Sequence, residues 1–293
     1  MSYSRKVYVK AASTLERRRS KAEHTQSMHR EEAYAKIPEL ISIDREISSA
    51  GAEVIRAIGM GENAQRFIEE LSKKNLAAQQ RRKDILKENG YPEDYLDADY
   101  TCKKCRDTGF ISGVMCDCYK ELLRDTALAE LNELSPSTRS TFESFNVNYY
   151  PDTSDPVTGV NPRSRMKEIL DFCKDYAADF GTDSPSLLLY GATGLGKTHL
   201  SLAIASEAIR KGYGVIYGSA QNLMSRLEKE HFSSGRDNEY EGSEQAILEC
   251  DLLVIDDLGA EFSTQFTVAE LYNIINTRIF KITNYIYTIK YIF

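Results

Sequence analysis

The chain has 293 residues, with 44 acidic and 37 basic side chains and a formal net charge of −7. This length favours two domains or one domain with an extension. The negative net charge argues against a protein that coats nucleic acid through bulk charge, although it does not exclude a local basic groove. Because no apolar run approaches a bilayer span and no signal peptide opens the sequence, we expect a soluble, cytoplasmic protein without a membrane partner.

Residues 1–134 are predicted to form a helical N-terminal region. Apolar residues recur at helical spacing in three successive patterns. The second pattern covers 38–58, and the third covers 63–89 and ends at an Asn-Gly helix stop. A further helix is predicted over 119–134. Such apolar stripes are typical of a coiled-coil-like hairpin or of a partner-binding face, and the core of a small helical bundle is the alternative.

An insert at residues 99–119 contains four cysteines. Cys102 and Cys105 form a C-x-x-C pair, and Cys116 and Cys118 form a C-x-C pair. Thiolates at this spacing are typical of a tetrahedral Zn²⁺ site, and such clustering in a cytosolic protein favours metal over disulfides. Iron–sulfur ligation is the alternative chemistry, whereas redox dithiols are disfavoured because the two pairs lie so near each other. We predict a structural zinc held by all four thiolates.

Residues 135–162 are rich in Ser, Thr, Asn, Asp and Pro and are predicted to link two domains. From 163 to 293, short apolar strands alternate with helices, which predicts an α/β fold with a parallel sheet covered on both faces. Cys173 and Cys250 lie in apolar helical patterns and are predicted to be ordinary buried thiols. The predicted strands lie at 186–190, 215–217 and 252–255, and the predicted helices at 165–180, 198–211, 222–230, 243–250 and 267–279.

A glycine-rich loop follows the first of these strands. It fits the phosphate-binding pattern G-x-x-x-x-G-K-[ST], with an apolar strand before it and a helix after it. Glycines let backbone N–H groups surround a phosphate, and the helix N-terminus faces the same anion. Lys197 brings a catalytic positive charge to the β- and γ-phosphates, and the Thr198 hydroxyl can ligate Mg²⁺. The predicted ATP-binding residues are Gly191, Ala192, Thr193, Gly194, Leu195, Gly196, Lys197 and Thr198.

A second apolar strand ends in two carboxylates and predicts the other half of the nucleotide site. Asp256 is placed to bind both the nucleotide and its Mg²⁺, through the water shell of the ion. Asp257 is placed to orient or deprotonate the attacking water and is the second predicted catalytic residue. A strand followed by an acidic turn is the alternative interpretation, and the phosphate-binding loop upstream favours the functional one.

The chain resembles bacterial and phage helicase loaders of the DnaC/DnaI type, within the AAA+ ATPases. The resemblance extends to about residue 279 and includes the helical N-terminus, CKKCRDTGF…CDC, TFESFNVNYYPD, YGATGLGKTHL, GVIYGSAQNLMSRLE and LLVIDDLGAEF. It implies a P-loop AAA+ core that binds ATP and places a replicative DNA helicase on single-stranded DNA. It also implies that the N-terminal region grips the helicase, that residues 217–227 lie near DNA, and that the AAA+ domain self-associates.

The last fourteen residues depart from that family. Residues 280–293 use only residue types favoured by AT-rich codons, and we expect a frameshift that removed the family's sensor and arginine-finger segments. A natural short C-terminus is the alternative. The AAA+ core would then be incomplete at its C-terminus, with ATP binding kept and hydrolysis impaired. Residues 284–293 alternate and are predicted to replace the missing strand, with the loop strand left as an exposed edge.

Two other functions stay open from the sequence. A transposition helper ATPase of the IstB type shares the ATPase core, although the cysteine insert and the long helical N-terminus disfavour it. A helicase-binding module without an ATPase cycle is the second alternative.

Overall fold

The computed structural model describes residues 3–57, 64–133, 140–232, 242–259, 264–280 and 284–290. By its internal contacts the chain divides into two compact units. One comprises Thr14–Val114, and the other combines Met1–Ser13 with Met115–Phe293. The helix that follows the cysteines is therefore grouped with the sheet, whereas the sequence grouped it with the helical region. The domain boundaries at residues 134 and 163 stay predictions.

The first unit is mainly helical. Its helices are α1 (Arg5–Lys36), whose first turns belong to the other unit, α2 (Glu39–Ala57) and α3 (Ala64–Glu88). The last two coincide with the second and third predicted helices, while the predicted limits at 58 and 63 lie outside the described residues. Buried apolar side chains form a small core between these elements, as expected for a helical bundle: Ala33, Ile37, Leu40, Leu86 and Leu96.

The predicted stop after α3 is confirmed in atomic detail. Gly90 has a φ of +80°, which a residue without Cβ adopts readily. The N–H of Gly90 donates to the carbonyl of Lys87 at 3.0 Å, and the N–H of Tyr91 donates to that of Leu86 at 2.9 Å. These two bonds form a Schellman motif, which satisfies carbonyls that the end of the helix leaves unpaired.

The cysteine segment contains a small hairpin, β1 (Phe110–Ile111) with β2 (Val114–Met115). The second unit is built on a parallel sheet of four strands in the order β3-β6-β5-β4. Its strands are β3 (Leu187–Gly191), β4 (Val215–Ser219), β5 (Leu252–Leu258) and β6 (Asn284–Lys290). Its helices are α4 (Asp117–Glu133), α5 (Pro162–Asp179), α6 (Lys197–Arg210), α7 (Ala220–Phe232), α8 (Ser243–Glu249) and α9 (Gln265–Phe280).

Strand β6 confirms the expectation that the last residues form a central strand. It pairs in parallel with β3 on one side and with β5 on the other, whereas residues 291–293 lie outside the described part. Strand β3 is an edge of the described sheet, and Leu188 and Tyr190 on it are 55% and 71% exposed. Strand β5 lies inside the sheet, and Leu252 to Ile255 are fully buried there, as expected for a strand covered on both faces.

Buried Arg278 near the end of α9 ties this helix to its neighbours. Its guanidinium donates to the carbonyl of Ile247 in α8 at 2.8 Å and to the carbonyl of Asn284 at the start of β6. The helix before the last strand is therefore joined to that strand by a charge-assisted hydrogen bond.

Among the described helices, none combines the length and the apolar character that crossing a bilayer requires.

Candidate functional site

The glycine-rich loop lies at the carboxyl end of β3, directly before α6. Residues 192–195 are exposed, so the loop is accessible from solvent. Gly196 caps α6 with a φ of +80° and a ψ of +11°, and Lys197 and Thr198 form the first residues of the helix. The positive end of the helix dipole therefore faces the loop, which is the arrangement that favours an anion.

Aromatic side chains from the predicted linker pack against this loop. A Cβ on Gly196 would lie 2.7 Å from Cε2 of Phe145 and 3.0 Å from the hydroxyl of Tyr150. The Tyr150 hydroxyl donates to the carbonyl of Leu195 at 3.2 Å. By contrast, a Cβ on Gly194 would meet no atom within 4 Å. Glycine is therefore required at 196 by space as well as by φ.

The same segment also holds the first turn of α6. His199 Nε2 lies 2.8 Å from the carbonyl of Thr141 and 3.2 Å from the hydroxyl of Ser144. Its ring meets that of Phe145 edge to face, with centroids 5.2 Å apart. We call residues 141–150 the connector. They precede the sheet in the sequence and contact both the glycine-rich loop and the first turn of α6.

Lys197 is the cation of the loop. Its Nζ donates to the carbonyls of Gly191 and Ala192, each at 2.8 Å. An ammonium group has three protons to donate, so these two bonds fix the side chain across the loop and leave one donor for a bound anion.

Thr198 and Asp256 meet although they are far apart in sequence. The Thr198 hydroxyl donates to Oδ1 of Asp256 at 3.2 Å, and Asp256 is only 5% exposed. The strands that carry the loop and Asp256 are separated by β6, so the central position of β6 sets this distance. A hydroxyl beside a carboxylate forms a set of hard oxygen donors that suits Mg²⁺.

A β-bulge shapes the end of β5. The register passes from Ile255 opposite Tyr287 to Leu258 opposite Ile289, so two residues, Asp256 and Asp257, face the single Thr288 of β6. A bulge of this kind redirects the side chains beside it.

Thr288 and the backbone of Asp257 hold the bulge. The hydroxyl of the buried Thr288 donates to Oδ1 of Asp256 and accepts the N–H of Asp257 at 2.9 Å. Asp257 has a φ of +54°, a left-handed conformation that costs free energy in a residue other than glycine. The two predicted acidic residues, Asp256 and Asp257, are thus adjacent, but only Asp257 has a left-handed backbone conformation.

Tyr217 of β4 contacts the same carboxylate. Its hydroxyl donates to Oδ2 of Asp256 at 2.6 Å. Burial, followed by this hydrogen bond, raises the pKa of Tyr217 well above its ordinary value. Tyr217 therefore stays a neutral donor at physiological pH.

The four cysteines of the insert converge. The sulfur atoms of Cys102, Cys105, Cys116 and Cys118 all lie within 4.8 Å of one another. The backbone N–H of Cys102 and that of its predecessor donate to the buried carboxylate of Asp107 at 2.9 and 2.8 Å, which fixes the turn after the first pair. Four convergent thiols fit zinc.

Cys173 and Cys250 are fully buried. Burial raises the pKa of each thiol to about 11. They are ordinary buried thiols, as expected from the sequence.

The family model described as IstB-like ATP binding protein matches residues 172–292. These residues form an AAA+ ATP-binding domain of the IstB/DnaC type. Within the AAA+ domain lie the loop, Asp256, Tyr217 and Thr288, whereas the connector and the four cysteines of the insert precede it.

Sequence relatives are replication proteins. The chromosomal replication initiator protein DnaA of Aquifex aeolicus (strain VF5) is 34% identical over 104 residues, which is 36% of this chain and 25% of that protein. The replicative helicase loader DnaC of Buchnera aphidicola subsp. Baizongia pistaciae (strain Bp) is 28% identical over 112 residues, 38% of this chain and 45% of that protein. The chain spans less than half of the length of these curated relatives.

Among solved structures, the crystal structure of the DnaC helicase loader aligns with 52% of this chain and 80% of that chain, with a TM-score of 0.40 and 23% identity. The assignment of the AAA+ domain rests on the sequence match.

Four contacts of the AAA+ domain were missed from the sequence: those of Phe145, Tyr150, Tyr217 and Thr288. The aromatic residues in the otherwise polar linker were the available signal for the first two. From the sequence, Tyr217 is only the end of a predicted strand and part of the segment expected near DNA, and Thr288 is only part of a predicted strand. Their roles depend on the register of β4, β5 and β6, which no local pattern shows.

Proposed function

We propose that this protein binds ATP with Mg²⁺ in its AAA+ domain and uses it to load a replicative DNA helicase onto single-stranded DNA. The observation that carries the nucleotide part is the contact between Thr198 and Asp256 at the foot of an accessible phosphate-binding loop. A chance glycine turn would not require a buried carboxylate at that point. The helicase part is supported by the DnaC relatives.

Each predicted residue has a defined task in this site. Lys197 contacts the β- and γ-phosphates with the donor that the loop carbonyls leave available, and the N–H groups from Gly191 to Thr198 surround them. Thr198 and Asp256 would hold Mg²⁺, which would offset phosphate charge. Asp257 orients the attacking water, with its backbone held by Thr288.

The cysteine cluster has a structural task in the same proposal. Cys102, Cys105, Cys116 and Cys118 would hold zinc, which would cross-link a segment whose apolar side chains Phe110, Ile111 and Val114 are exposed. The helices that precede it would grip the helicase, and the AAA+ domain would contact single-stranded DNA and further copies of itself.

A transposition helper ATPase is the second candidate, because the description of the matching family model is IstB-like. The two candidates share the nucleotide site and differ in the partner. A cysteine cluster next to a long helical region supports the helicase loader.

The test is a pull-down with the intact chain as bait. The replicative helicase of the source organism and a transposase encoded beside an IstB-type gene are offered separately, with and without ATP. We expect ATP-dependent capture of the helicase, which is weakened in a Lys197→Ala protein. Capture of the transposase instead supports the second candidate. Capture of the helicase that is equal in both proteins and unaffected by ATP indicates a binding module without an ATPase cycle.

A further inference from the structure

Tyr217 and Asp256 project from the same face of the sheet. The register places Tyr217 opposite Val254 and Ser219 opposite Asp256. Since side chains alternate between faces along a strand, residues two positions apart share a face. The tyrosine side chain is long enough to span this diagonal, and its hydroxyl lies 2.6 Å from Oδ2 of Asp256.

The two oxygens of this carboxylate have separate donors. Oδ1 accepts from the hydroxyls of Thr198 and Thr288 and from the N–H of Asp257. Within the part of the chain that the structure describes, Tyr217 supplies the hydrogen bond at Oδ2. Rotation of the carboxylate would break that bond, so Tyr217 keeps Oδ1 directed at Thr198.

We propose that Tyr217 is a positioning residue for the metal half of the nucleotide site. By fixing the Asp256 carboxylate, it sets how strongly Mg²⁺ increases the affinity for nucleotide. The proposal rests on the proposed function, since it assumes that Asp256 serves a nucleotide-bound Mg²⁺. A ligand that is already oriented loses less freedom on binding a metal, and loss of a residue that orients a metal ligand costs about 10- to 100-fold in metal affinity.

The experiment measures binding of a fluorescent ATP analogue to the intact chain, in EDTA and across a Mg²⁺ titration. The variant is Tyr217→Phe, which removes only the hydroxyl. The matched control is Tyr176→Phe, because the Tyr176 hydroxyl donates to the carbonyl of Pro185 at 2.8 Å, in the same unit but away from Asp256. We expect the Mg²⁺ concentration for half-maximal effect to rise about tenfold in Tyr217→Phe. In EDTA the affinity of Tyr217→Phe for the nucleotide stays at the wild-type value. The Tyr176→Phe control behaves as wild type both in EDTA and in the Mg²⁺ titration.

Three results overturn the proposal: an unchanged Mg²⁺ requirement in Tyr217→Phe, a lowered one, or an equal loss of affinity in EDTA and in Mg²⁺, which indicates a purely structural role. If the wild-type chain binds no nucleotide, the proposed function itself is contradicted. That outcome is distinct from a failure of the Tyr217 proposal, which requires a wild-type chain that binds nucleotide. Circular dichroism checks folding. Should Tyr217→Phe not fold, Tyr217→Met lacks the hydroxyl but keeps an adaptable apolar side chain, and the same outcomes decide.

Discussion

The cysteine cluster and the nucleotide site are assembled in opposite ways. All four thiols come from one short segment, residues 102–118. The nucleotide site draws on the connector, the loop and strands β4, β5 and β6. Thr198 and Asp256 meet only because β6 lies between the strands that carry them. The geometry of the cysteine cluster therefore depends on its own segment, whereas the geometry of the nucleotide site depends on the register of the whole sheet.

Removal of metal should have the largest effect and should be confined to the cluster. We expect about one zinc per chain, lost in Cys105→Ser and kept in Cys173→Ala, because one missing ligand leaves an open tetrahedral site. Metal analysis after dialysis measures this, and limited proteolysis should show new cleavage within residues 99–119. Nucleotide binding should persist. An iron chromophore, or loss of zinc in the Cys173→Ala control, would contradict the assignment.

Loss of the loop cation should be the next largest effect, and it should spare the cluster. In Lys197→Ala we expect nucleotide affinity to fall by about 100-fold, since hydrogen bonds to charged groups are worth roughly 1.5–3 kcal/mol and this ammonium serves more than one phosphate oxygen. Equilibrium binding measures the loss, and zinc content is the control. Affinity within a few-fold of wild type would show that the loop does not bind phosphate.

A pair of glycine substitutions tests the contact between the connector and the loop. Gly194 and Gly196 have nearly equal φ, +82° and +80°, so Ala costs a similar backbone strain at both. Only at 196 does the new Cβ meet Phe145. We expect Gly196→Ala to destabilise the protein by about 1–3 kcal/mol more than Gly194→Ala. Denaturant unfolding measures both, and a Phe145→Ala background should remove the excess. Equal losses would mean that the connector does not constrain the loop.

Thiol labelling gives the smallest but most direct contrast between the two kinds of cysteine. At pH 8 a thiol of pKa about 11 is roughly 0.1% thiolate. Because the thiolate is the reactive form, Cys173 and Cys250 should resist alkylation in the folded, chelator-treated protein while the four cluster thiols react. Mass spectrometry after timed quenching separates them. Labelling of either buried cysteine at the rate of the cluster would contradict the burial described for them.

The difference between the local cysteine cluster and the assembled nucleotide site also explains which features could be predicted from the sequence. The four clustered cysteines, the loop and the acidic end of β5 follow from spacing and periodicity, and so does the alternating segment that forms β6. The bulge that sets Asp256 and Asp257 against Thr288 has no local signal, because it is a property of two strands in register. For the same reason Tyr217 was not assigned to the site. The polar composition of the connector predicts a linker, whereas in the structure its aromatic rings pack on Gly196.

The central claim is that a loop and a distant carboxylate form one site for ATP and Mg²⁺. Calorimetric titration of ATP into the wild-type chain and into Asp256→Asn, each with and without Mg²⁺, tests it most directly. We expect Mg²⁺ to strengthen binding to the wild type and to add little in Asp256→Asn, with both proteins binding ATP similarly in EDTA. A gain from Mg²⁺ that is the same in both proteins, or no ATP binding by the wild type, would contradict the account.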